Sequence, residues 1–312
     1  MIFRMLYIFI NLISSMLSAE IVDFLKPALN KSEINQMPEI DFIYMINLDE
    51  RPEKFSQSVD QLTPFNIFPY RFSAVNGWKL PLENLKSLGI TYDSTMPTSF
   101  MGTRYRLEEY GNPTHEMMIV GENYFCHGLA KGTIGIVLSH LSVLQDAYDS
   151  GYETIWVMED DIDVVQDPNI LPSLIKELDD LVGKKSWDIL FTDPDSKHKN
   201  GNYVVCTDYH PRPNITLSNP KRFDLNEKIS LNFKKTGARY GAYSMIIRRS
   251  GIKKLLDFIL KYRVFLPYDL EYIFPNINLY SLNFDVVSTL PGALTDNRTP
   301  NYKNENPVYL EE

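Results

Sequence analysis

Apolar and polar residues along this chain fall into blocks whose period keeps changing between that of a strand and that of a helix. In "EIDFIYMINLDERPEK" (Glu39–Lys54) a β-rich run, Phe42–Ile46, meets polar residues at Asn47–Arg51. The pattern predicts a strand, a turn, and a helix starting at Pro52, because proline suits a first helical turn. "FPYRFSAVNGWKL" (Phe68–Leu80) predicts a second strand closing in an Asn-Gly turn at Asn76–Gly77. Residues from about Leu82 to Gly132 show little periodicity and several prolines and glycines, so they are expected to form an irregular insertion or lid. Helical spacing returns at Ile136, Leu141, Leu144, Ala147 and Tyr148, predicting a helix that ends near Gly151. A strand, Thr154–Met158, follows; then a helix, Pro168–Val182; then a short strand, Trp187–Asp193. Gly241–Leu260 reads as strand, turn and helix, and the polar tail after Pro291 is expected to wrap the surface.

Strands and helices therefore alternate, which predicts an α/β fold with a mostly parallel central sheet flanked by helices. Ligands of such sheets gather beyond the carboxyl ends of the strands. Three predicted strand ends carry polar groups: Asn47–Arg51, Glu159–Asp161 and Thr192–Asp193. They are expected to converge on one crevice.

Composition narrows this only a little. A chain of 312 residues can bury a sizeable core. The net charge of −9 argues against a nucleic-acid partner, which needs clustered Lys and Arg. Two cysteines, Cys126 and Cys206, allow at most one internal disulfide. At the start, Arg4 precedes an apolar run, Met5–Ala19, and small residues Ser18 and Ala19 precede Glu20. The run is short for a membrane span, so a cleaved secretory signal over residues 1–19 and an exported protein are expected. Leu17 is imperfect for cleavage; an uncleaved membrane anchor and a buried first helix are the alternatives. Residues 20–38 then form an N-terminal extension, 39–300 the main domain and 301–312 a polar tail.

The chemistry concentrates in "TIWVMEDDIDVV" (Thr154–Val165), where an apolar strand runs straight into Glu159, Asp160 and Asp161. Adjacent carboxylates repel one another unless a cation sits among them. Hard oxygen donors without His or Cys alongside suit Mg²⁺ or Mn²⁺. Residues two apart in extended chain face the same way, so Glu159 and Asp161 are the candidate metal ligands. Asp160 is left to a neighbouring group on the donor side, or takes the metal in their place. A solvated acidic turn capping the next helix is the plainer alternative.

Four stretches in order, "IYMINLDERPEK", "FSAVNG", "GTIGIVLSHLSVLQDAYDSGYETIWVMEDDI" and "GAYSMIIRRSGIKKLL", resemble glycosyltransferase family 25 over roughly Ile43 to Asp269. That family includes lipopolysaccharide-type and collagen galactosyltransferases. The resemblance implies a GT-A-like fold, a nucleotide-sugar donor (typically UDP-galactose), a Mn²⁺ or Mg²⁺ ion at the acidic motif, and a glycan or protein hydroxyl as acceptor. It implicates Asn47, Leu48 and Arg51 in holding the nucleotide. "AVNG" at Ala74–Gly77 matches a segment that usually reads Ala-Val-Asp-Gly, with Asn76 replacing the acid. Ser139 and His140 match the family's Ser-His pair, with Ile136 where a cysteine is frequent. "LPYDLE" places Asp269 near the acceptor.

Hexose transfer with inversion needs one base to take the acceptor's proton. Asp269 is the candidate and Glu271 the second; a turn aspartate after Pro267 is the alternative for Asp269. His140 can equally be a structural histidine. Trp78 and the aromatics of "LPYDLEYIF" can stack on a sugar but by default pack in a core. Asn30, Asn214 and Asn297 fit the glycosylation acceptor pattern. Two other functions compete: a metal-dependent phosphohydrolase, and a secreted carbohydrate-binding protein on an inactive transferase scaffold. The phosphohydrolase is disfavoured because "EDDID" lacks the Asp-x-Thr of aspartyl nucleophiles.

Overall fold

The computed structural model describes residues 21–206, 210–217 and 219–303. The signal-like segment lies outside the described residues. Eight strands build the central sheet: β1 (Phe42–Asn47), β2 (Tyr70–Ser73), β3 (Thr154–Glu159), β4 (Ile189–Phe191), β5 (Asn226–Lys228), β6 (Phe233–Thr236), β7 (Ser244–Arg248) and β8 (Leu279–Leu282). Across the sheet they lie in the order β5-β6-β8-β4-β7-β3-β1-β2. Parallel pairing joins β1 to β2, β1 to β3 and β4 to β8, while β6 and β7 are antiparallel to both of their neighbours. Six of the eight strands thus run one way, which is the mostly parallel α/β sheet expected of a GT-A-like fold.

Among the described residues six α-helices accompany the sheet: α1 (Pro52–Leu62), α2 (Leu82–Leu88), α3 (Lys131–Asp149), α4 (Leu171–Val182), α5 (Arg249–Tyr262) and α6 (Tyr268–Glu271). Every residue of β1 is buried, as in a strand covered on both faces. Phe42, Tyr44 and Ile46 pack on one side with Val137 and Leu141 of α3 and Leu255 and Ile259 of α5. Ile43 and Met45 face the other side, with Leu174 and Leu178 of α4. Each such side chain contributes about 1.5–3 kcal/mol by leaving water. The sheet is therefore clamped from both faces, and its strand ends are fixed in space.

Two expectations change. Residues 82–132 are not an irregular lid. They form α2 and a four-stranded antiparallel sheet (Ile90–Thr91, Met101–Tyr105, Pro113–Met117 and Asn123–Cys126). Strands this short show almost no alternation in sequence, so their pairing decides them. Strands β5, β6 and β8 were not legible either: β6 reads Phe-Lys-Lys-Thr, and only its end residues are buried. The tail after Pro291 does not simply coat the surface, because Thr295–Asn297 turn inward beside the ends of β1 and β3. Cys126 and Cys206 are not joined in a disulfide.

Candidate active site

Strand β1 hands over to α1 through Asn47–Arg51, and β3 ends at Glu159, which pairs in register with Ile46. The two ends therefore lie side by side. Beyond them is a crevice bordered by Leu48, Arg51, Ala74, Gly77, Ser139, His140 and the acids Glu159–Asp161. Residues drawn from four separate parts of the chain thus meet in one place.

Asn47 does not border the crevice but ties it together. It is buried, and its Nδ2 donates to Asp160 Oδ2 at 2.6 Å and to the Arg51 carbonyl at 2.8 Å. Arg71 Nε donates back to Asn47 Oδ1 at 2.8 Å. Gly77 is required by close approach: a Cβ there would lie 1.8 Å from the Lys131 carbonyl oxygen. Gly135 answers it, since its Cβ would meet Gly77 N at 2.5 Å. This contact presses the turn after β2 onto the first turns of α3. Ser139 Oγ accepts from Val75 N at 2.8 Å and donates to the Gly135 carbonyl at 2.7 Å, so its hydroxyl fixes the same junction. Ala74 N donates to the Asn47 carbonyl at 2.9 Å, which keeps β2 alongside β1 at the crevice edge.

The acids differ in environment. His140 is buried, and its Nε2 lies 2.9 Å from Glu159 Oε1, where the Nε2–H tautomer donates. The imidazole stacks on Tyr268 with 4.2 Å between ring centres. His140 is thus both structural and in the crevice, orienting Glu159. Asp160 leans on Asn47 and has Lys54 Nζ 3.7 Å away; burial raises its pKa. Asp161 has less help: Lys54 and a backbone N–H offset its burial only in part. Its Oδ1 is shut off from solvent with no hydrogen-bond partner. Burial, then repulsion from Glu159, pushes Asp161 up to about 7.

An unpartnered buried carboxylate oxygen beside two more acids is what a bound cation would relieve. Glu159 and Asp161 fit Mn²⁺ or Mg²⁺ by donor type. Among the described residues, no group of three or more His, Cys, Asp or Glu gathers as a ready-made cage. Any cation here must take further ligands from water and substrate, as Mg²⁺ commonly does.

The family model of glycosyltransferase family 25 (LPS biosynthesis protein) matches residues 40–271. The chain belongs to glycosyltransferase family 25. A family member from Aedes aegypti is 25% identical over 152 residues, covering 49% of this chain and 21% of the relative. The Mus musculus protein named inactive glycosyltransferase 25 family member 3 is 26% identical over 172 residues, covering 53% and 25%. A Drosophila melanogaster family member is 25% identical over 142 residues, covering 46% and 19%. The matched stretches thus span a quarter or less of these relatives' own length.

In this family 25 chain, three sequence expectations are placed away from the crevice. Asp193 is fully buried, paired with Arg239 at 2.8 Å and accepting from Tyr243 and Ser288. The third strand end therefore supports the core and does not join the crevice. Glu271 is fully buried against Arg212 and accepts from the backbone N–H of Phe265 and Leu266, both at 2.7 Å. Every feature of that setting is structural. Asp269, on α6, does not border the crevice; its Oδ2 accepts from Gly241 N at 2.8 Å, and burial raises its pKa. It adjoins Tyr268, the residue stacked on His140. Asp269 is not the helix cap, since Pro267 holds that position.

Other residues enter that sequence reasoning did not place there. Lys54 borders the crevice one turn into α1. Asp296 pairs with Arg51 at 2.7 Å, and Trp78 Nε1 donates to its carbonyl at 2.8 Å. Asn297 bonds Thr133 through its side chain, so this glycosylation-like asparagine is engaged inside the fold. No sequence signal marks these tail residues, because Arg51 and Asp296 lie 245 positions apart.

Proposed function

We propose that this family member transfers a hexose, galactose being the family-consistent choice, from a UDP-sugar to a glycan or protein hydroxyl with inversion. The observation that carries the reading is the unpartnered, buried Asp161 Oδ1 beside Glu159, at the joint ends of β1 and β3. Glu159 and Asp161 would hold a Mn²⁺ or Mg²⁺ ion, whose role when bound is to offset the negative charge of the departing diphosphate.

The chain's own residues supply the rest. Arg51 and Lys54 offer positive charge to the phosphates. The start of α3 at Gly132 borders the same space, and a helix N-terminus favours anions. His140 fixes the direction of Glu159, and Tyr268 fixes His140. Asp269, its pKa raised by burial, is suited to take the acceptor's proton. The open space in the crevice is about 100 Å³, whereas small-molecule pockets run to roughly 300–1,000 Å³. Donor binding on this reading lifts Thr295–Asn297 from the crevice.

That narrow space also favours a second reading, a carbohydrate-binding protein on a scaffold that no longer turns over. The mouse and human relatives carry the word inactive in their names. The deciding experiment is a donor screen with Mn²⁺ that reads nucleotide release, with and without candidate acceptors, alongside UDP binding. Metal-dependent UDP binding with nucleotide release supports the transferase. Sugar binding with neither result supports the second reading.

A further inference from the structure

A second hollow, of about 460 Å³, lies next to the crevice. Gly132 borders the crevice and Thr133 borders this cleft, so the first turn of α3 is the wall between them. Asn297 borders both spaces and bonds Thr133 across that wall. Pro267 and Leu270, which flank Tyr268 and Asp269 in sequence, border the cleft as well. A molecule seated there lies against the segment that carries the candidate base and next to the donor space.

The two spaces differ in their balance of charge. The crevice gathers four acids, Glu159, Asp160, Asp161 and Asp296, against two bases, Arg51 and Lys54. The cleft is bordered by Arg298, His127 and His210, and among the described residues no Asp or Glu borders it. In a chain with 40 acidic and 31 basic residues, a cleft whose described charged border is basic, beside an acid-rich crevice, is a separation of charge. Arg298 is exposed, and it makes no ion pair among the described residues. The remaining wall is apolar and partly aromatic, with Phe100, Phe265 and Leu266.

We propose that this cleft is the acceptor subsite and that it selects an acceptor sugar carrying an anionic group, a carboxylate or a phosphate. The inference rests on the transferase reading above. The apolar C–H face of a sugar ring packs on Phe100 and Phe265. The anionic group pairs with the Arg298 guanidinium, whose planar fork matches carboxylate and phosphate oxygens. The same charge is repelled by the acids across the wall. The anionic end is therefore held in the cleft, and the hydroxyl end is turned towards the donor.

The test measures binding by calorimetry to the full chain saturated with Mn²⁺ and UDP. Three probes are titrated: methyl β-D-glucuronide, glucose 6-phosphate and neutral methyl β-D-glucoside. At least one anionic probe is expected to bind about tenfold tighter than the neutral one at low salt, with the preference shrinking at high salt. The carboxylate and phosphate probes show which group is preferred. Arg298→Glu should abolish the preference and Arg298→Lys should keep most of it. Equal binding of all three probes to the wild type, or a preference that survives Arg298→Glu, overturns the assignment. UDP binding is measured on the same samples. Loss of UDP binding by the wild type sinks the transferase reading, while UDP binding without an anionic preference sinks only the cleft.

Discussion

Replacing Asp161 with Asn should stabilise the metal-free protein, and more so as the pH rises. The carboxylate is held at about 7 from an ordinary 3.8, chiefly by burial and by Glu159. At 1.36 kcal/mol per pKa unit, that displacement has a ceiling of ~4 kcal/mol. The residue keeps some exposure and its neighbours can relax, so ~1–3 kcal/mol is the expected measured gain. The sign follows from proton linkage. The folded pKa lies above the unfolded one, so the native state holds an extra proton between about pH 4 and 7. The stability that this proton provides is complete below about pH 4 and is lost as the pH passes about 7. Wild type is therefore penalised at pH 8, and Asp161→Asn, which cannot ionise, is not. The assay is thermal unfolding in EDTA at pH 5, 6.5 and 8. At ~2–4 °C per kcal/mol the variant should melt a few degrees higher at pH 8, with the gap closing at pH 5. Adding Mn²⁺ should raise the wild-type midpoint and leave the variant unmoved, because a ligand of the native state stabilises by mass action. A variant that melts no higher than wild type at pH 8 would refute the repulsion argument. Equal stabilisation of both proteins by Mn²⁺ would refute the metal assignment.

Asp269→Asn keeps an acceptor for the Gly241 N–H but cannot take up a proton; kcat should fall by roughly a hundredfold with UDP affinity unchanged, and near-normal turnover would remove Asp269 as the base. Glu271→Gln leaves Arg212 buried without its anion, at a cost of ~3–5 kcal/mol; a normal melting midpoint together with lost turnover would instead make Glu271 the base. Asp296→Ala frees Arg51 from its mostly buried ion pair, and UDP should then bind about fivefold tighter. Weaker UDP binding in that variant would mean that Asp296 itself contacts the donor.

Much of the layout was legible because it rests on local rules. The apolar runs of β1 and β3 marked buried strands, Pro52 marked the start of α1, and the spacing of Leu141 and Leu144 marked α3. The abrupt change from Met158 to three acids pointed to the crevice, because such repulsion is unfavourable wherever the strand ends. The sequence pointed only to a shared crevice of polar strand ends; the parallel pairing of β1 with β3 is what brings Asn47 to Asp160.

What the sequence did not contain was direction and distance. Asp193 and Glu159 both follow apolar strands, yet Asp193 turns into the core because Arg239, Tyr243 and Ser288 surround it. Glu271 sits two residues from Asp269 in an apolar stretch, and only the arrival of Arg212, 59 positions away, makes it half of a buried ion pair. Asp296 enters the crevice because Arg51 and Trp78 hold it there. A short-range pattern fixes which residues share a strand or a helix face. The meaning of a carboxylate depends on the charge and solvent within a few ångströms of it, and in this protein those neighbours come from distant parts of the chain.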